Sequence, residues 1–100
     1  MRREPPALTT TSTTTVPITN RLGLHARPAM MFVDVASKFQ ADVTVRRCDQ
    51  VEFVDGKSIM QLMMLAATQG TELEINAKGD DAEEATQQLQ ALIQSNFSED

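Results

Sequence analysis

The chain has 100 residues, with one histidine, one cysteine and neither tryptophan nor tyrosine, so it suits a single domain whose core is built mainly from Val, Ile, Leu, Met and Ala. The lone Cys48 excludes an internal disulfide and, with only one histidine, an ordinary structural zinc site. A net charge of −5 argues against nucleic acid, and no apolar run approaches the ~20 residues that span a bilayer.

In chain order, residues 1–12 carry prolines and short polar residues with little to bury, which predicts a disordered arm with the domain starting near Thr13. Charges at the start are not followed by an apolar segment of the signal-peptide kind. Val16 and Ile18 alternate around Pro17, the pattern of an edge strand, since proline cannot donate to a ladder. Asn20 to His25 reads as a loop. Ala26 to Lys38 reads as a helix, with Pro28 in its first turn and Ala29, Phe32, Val33 and Ala36 on one face.

Asp42 to Arg46 and Val51 to Val54 both alternate and predict a hairpin turning at Cys48-Asp49-Gln50. Ser58 with Gln61 three residues on matches a capping box, opening a short helix through about Ala67 that Gly70 would end. Thr71 to Ala77 is a strand with Leu73, Ile75 and Ala77 inward. Asp81 with Glu84 is a second cap signal, and Ala82, Ala85, Leu89, Leu92 and Ile93 form the apolar stripe of a last helix. The order β-α-β-β-α-β-α predicts an α+β fold, with helices layered on one face of an antiparallel sheet.

Chemistry concentrates in Gly23-Leu24-His25-Ala26-Arg27-Pro28-Ala29. A histidine stands where a glycine-containing loop enters a helix. The first N–H groups of a helix lack intrahelical acceptors and, with the macrodipole, favour an anion. Arg27 adds a cation that stays charged near neutral pH. The plainer reading is a surface histidine serving as an imperfect cap.

The segment resembles the active-site signature of the HPr family, the histidine phosphocarriers of the bacterial phosphotransferase system. A second stretch resembles the same family: Gly56-Lys57-Ser58-Ile59-Met60, then Leu62 to Ala66, then Gly70-Thr71. The resemblance covers roughly Thr13 to Phe97. It implies an open-faced β-sandwich, a four-stranded antiparallel sheet covered on one face by three helices, with the phosphocarrier domain over residues 13–97 and a tail over 98–100. It further implies that His25 is phosphorylated on Nδ1 by phospho-enzyme I and passes the group to a IIA protein. Arg27 would stabilise the phosphoryl group, and Ala26 and Arg27 would supply backbone contacts.

Ser58 matches the serine that many HPr proteins have phosphorylated by an HPr kinase/phosphorylase. By position, Ile59, Met60 and Met63 would dock partners on an apolar patch, with Arg21, Arg27 and Lys57 on its rim. Methionine suits such a surface because it repacks easily. Compared with the family, the stretch from Val45 to Gly56 is longer, and Asp34 stands where some relatives carry lysine. A sugar-type and a nitrogen-type carrier both fit. So does a regulatory module with the fold but no relay, although such a module would be expected to lose the histidine. A small ferredoxin-like ligand-binding domain gives the His-x-Arg-Pro helix start no role. A monomeric cytoplasmic protein without cofactor, metal, nucleic acid partner or membrane insertion is expected.

Overall fold

The computed structural model describes residues 10–98. Four strands and three helices follow in the order β1 (Thr11–Pro17), α1 (Ala26–Ala36), β2 (Asp42–Arg47), β3 (Val54–Asp55), α2 (Ile59–Met64), β4 (Glu72–Lys78) and α3 (Ala82–Gln94). The strands make one antiparallel sheet in the order β1-β4-β2-β3. Pro17 ends an edge strand, where its missing N–H interrupts no ladder. The inward row joins Val16 to Leu73, and Val45 to Ile75 and Val54. Phe32 from α1, Leu62 from α2 and Leu89 and Ile93 from α3 complete the buried core. The result is an α+β open-faced sandwich.

The first strand starts at Thr11, earlier than its composition suggests. Thr11 pairs with Lys78 and Ser12 with Ala77, and the Thr10 carbonyl accepts the Gly79 N–H at 2.8 Å. Alternation turns Ser12 and Thr14 toward α3, where Ser12 Oγ meets Thr86 Oγ1 at 2.7 Å and Thr14 Oγ1 donates to Gln90 Oε1 at 2.9 Å. The polar row is thus satisfied rather than solvated. The rest of the expected arm, residues 1–9, lies outside the described residues, as do 99 and 100 of the expected tail.

Three further differences have local causes. The alternation of Val51 to Val54 yields only the two-residue β3, because Arg46 draws the connection round itself. Its guanidinium donates to the Gln50 carbonyl at 2.6 Å and more weakly to those of Arg47 and Cys48, pairs with Glu74 at 2.5 Å, and lies 5.6 Å from the Phe53 ring centre. Next, α2 stops at Met64, well before Gly70. Ala66 turns left-handed (φ +52), and Arg47 donates to the terminal carbonyls of Leu65 and Ala66. Finally, Asp81 makes no side-chain cap to α3. Its carboxylate instead accepts the N–H groups of Gln40 and Ala41 at 2.9 and 2.8 Å, clamping the chain beyond α1 to the start of α3. Those bonds hold its pKa below the usual carboxylate value.

The chain beyond α3 closes in a short 3-10 turn, Asn96–Ser98, whose three residues all have positive φ. This turn buries Phe97 at the end of the core. No helix among the described residues is long and apolar enough to cross a membrane.

Candidate functional site

The loop before α1 is held by its neighbours rather than by its own length. Asn20 to Gly23 closes as a turn, with the Gly23 N–H on the Asn20 carbonyl at 3.2 Å. Gly23 has φ +73, and a Cβ there would lie 2.5 Å from the Ala67 carbonyl oxygen and 2.9 Å from Thr68 Cα. Both its backbone conformation and its close approach therefore require glycine. Leu24 is buried and donates its N–H to the Ala67 carbonyl at 2.9 Å. The loop is thereby stitched to the segment beyond α2.

His25 follows as the N-cap of α1, in extended conformation, and its carbonyl accepts the Ala29 N–H at 3.0 Å. Its ring makes no capping bond to the helix and is half-buried. Ala26, Arg27 and Pro28 are then the first three helical positions. Of their backbone groups, proline supplies no N–H, so the donors without an intrahelical acceptor at this end are those of Ala26 and Arg27. The side chain of Arg27 is exposed. An imidazole ring, two backbone donors and a guanidinium therefore come from three consecutive residues.

Two hydrogen bonds orient α2 against this site. Ala67, just past α2, accepts from Leu24, just before α1. At the other end the Lys57 ammonium, just before α2, donates to the Phe39 carbonyl, just past α1, at 2.9 Å. The helices thus run antiparallel, and Met63 and Met64 lie at the histidine end. Lys57 is held at the opposite end of an 11-residue helix, roughly 16 Å along its axis. It does not join Arg21 and Arg27 near the histidine, because the carbonyls left open at the end of α1 attract its ammonium.

Ser58 caps α2, its Oγ accepting the Gln61 N–H at 3.2 Å. The reciprocal half of the capping box is not made: Gln61 Oε1 accepts from Asp55 N, and Ser58 N donates to the Asp55 carbonyl. Ser58 also sits at the end of α2 remote from His25. Leu62 is buried, while Ile59, Met60 and Met63 are exposed. Leu22, Met30 and Met64 are exposed with them, additions that helical spacing alone did not single out. Cys48 is half-buried, and burial pushes its thiol pKa up, away from the reactive thiolate.

The sandwich thus presents a histidine at the start of its first helix. The family described as "PTS HPr component phosphorylation site" matches residues 12–95. Phosphocarrier protein NPr of Proteus mirabilis is 44% identical over 85 residues, covering 85% of this chain and 93% of that one. Phosphocarrier protein HPr of Pseudomonas aeruginosa is 46% identical over 84 residues, covering 84% and 92%. The crystal structure of HPr-C-His from Thermoanaerobacter tengcongensis superimposes with a TM-score of 0.83 at 44% identity, covering 89% of this chain and 98% of that one. The chain belongs to the HPr family of phosphocarrier proteins of the phosphotransferase system.

Proposed function

We propose that His25 is the phosphoryl acceptor, charged on Nδ1 by phospho-enzyme I and discharged to a IIA protein. One observation carries this reading: His25 caps a helix whose available backbone donors, Ala26 and Arg27, adjoin it directly. The Nδ1 lone pair forms the new N–P bond as the donor's bond to phosphorus breaks, and the released electron pair stays on the donor. Little covalent work falls to the protein, and positioning does the rest. The helix end and Arg27 stabilise the added charge by about 0.3–1 kcal/mol per interaction at an exposed site, which keeps transfer reversible.

Partners dock on the face formed by Ile59, Met60 and Met63, with Arg21 and Arg27 meeting acidic groups at the histidine end. Such a relay works as a cytoplasmic monomer that offers the same face to each partner in turn. Phosphorylation of Ser58 by an HPr kinase would place charge beside Ile59 and Met60, so it would act on docking more than on the histidine. Treatment with that kinase and ATP, then mass spectrometry, locates or excludes the phosphoserine.

Incubation with enzyme I and labelled phosphoenolpyruvate tests the central reading. The expected label is acid-labile, alkali-stable and absent from His25→Ala. Absence of label from the parent chain would leave the non-relaying module. The sugar-type and nitrogen-type readings separate by comparing transfer from the enzyme I of each system: the cognate one gives the higher kcat/KM.

A further inference from the structure

Among the described residues Asn20 is a buried polar side chain, at 1% exposure, and it lies five residues before the histidine. Its role follows from the peptide groups it engages. The Asn20 main-chain carbonyl accepts the Gly23 N–H, and its side-chain Nδ2 donates to the Gly23 carbonyl at 2.8 Å. One residue therefore grips Gly23 at both its N–H and its C=O. The same Gly23 carbonyl accepts the His25 N–H at 3.0 Å, closing a three-residue turn centred on Leu24. So tight a turn has one short contact of its own and depends on its surroundings to hold it. The placement of the His25 backbone thus rests on where the Gly23 carbonyl points.

We infer that Asn20 is a positioning residue for phosphoryl transfer, fixing the Gly23 carbonyl so that His25 is presented at the start of α1 in its reactive orientation. This rests on the reading of His25 as acceptor. In that scheme Asn20 acts through the Gly23 carbonyl, and it lies in the loop rather than on α2. Its loss should therefore slow the transfer step without weakening docking. Burial sharpens the requirement, because a carbonyl deprived of its second donor inside the protein cannot recover it from solvent.

The test uses Asn20→Ala and the near-isosteric Asn20→Asp, which keeps the volume but removes the Nδ2 donor. For both, kcat for transfer from phospho-enzyme I should fall about tenfold while KM stays within about twofold, a loss of transition-state positioning without loss of binding. Backbone hydrogen exchange gives an independent readout. The His25 amide should exchange at least about tenfold faster in the variants, beyond any change at the Ile75 amide of the central strand. If one variant does not fold, the other carries both measurements. Unchanged kcat per folded molecule, or parallel exchange changes at His25 and Ile75, would overturn the inference. If the parent chain takes no label, the acceptor reading fails, whereas the exchange comparison still decides whether Asn20 holds the loop.

Discussion

Replacing Gly23 by alanine tests how the histidine loop is held. Left-handed backbone costs a non-glycine residue about 1–2 kcal/mol. The new methyl would meet backbone at Ala67 and Thr68, at 2.5 and 2.9 Å, so no side chain can swing aside to admit it. Overpacking of this kind costs about 1–3 kcal/mol. Moving the Ala67 carbonyl also strains the Leu24 hydrogen bond, for roughly 1 kcal/mol more. The combined loss is about 4 kcal/mol, a large share of the ~5–15 kcal/mol typical of a domain. At ~4–8 °C per kcal/mol, Tm falls by on the order of 20 °C.

Gly70→Ala is the control. Its φ is +94, yet nothing lies within 4 Å of an added Cβ, so only the backbone cost of about 1–2 kcal/mol applies. Circular dichroism melts of both variants measure the difference. If Gly23→Ala cost no more than Gly70→Ala, the close packing of the histidine loop on the segment after α2 would be refuted.

Other expectations follow from single contacts. Asp81→Asn removes the carboxylate that accepts from Gln40 and Ala41 and should lower Tm at pH 7. Because the folded pKa is depressed, the parent's advantage is full above the unfolded value near 3.8 and fades as pH falls through the lower folded pKa; melts from pH 7 downward check the sign. Ser58→Ala should cost about 1 kcal/mol, the worth of an N-cap, readable as a drop of ~4–8 °C in Tm. Met63→Glu, on an exposed face at the histidine end, should impair transfer from enzyme I while shifting stability by no more than about 0.5 kcal/mol; steady-state kinetics and a melt together decide it.

What was legible in the sequence was what is local. Leu73, Ile75 and Ala77 announce β4 by alternation, and the buried row of α3 follows its 3.6-residue period. Gly23, His25, Arg27 and Pro28 are contiguous, so a loop-to-helix junction could be read directly from their order. Distant contacts were not legible. Ser12 and Thr14 find their acceptors and donors on α3, more than 70 residues away. Asp81 has the spacing of a local cap but spends its oxygens on Gln40 and Ala41. Lys57 reads in sequence as grouped with Arg21 and Arg27, but an open carbonyl at Phe39 draws its ammonium to the end of α1 remote from the histidine. Asn20 carried a faint signal, an asparagine three residues before a glycine, which marks a turn but not a buried amide.

The most direct measurement of the central claim is nitrogen NMR of the uniformly labelled chain, phosphorylated through enzyme I and phosphoenolpyruvate and held at alkaline pH. The account predicts an N–P bond at Nδ1 of His25, lost on acidification and on addition of a competent IIA protein. A phosphoryl group found only on another residue such as Ser58, or a His25 ring unchanged while phospho-enzyme I is present in excess, would contradict it.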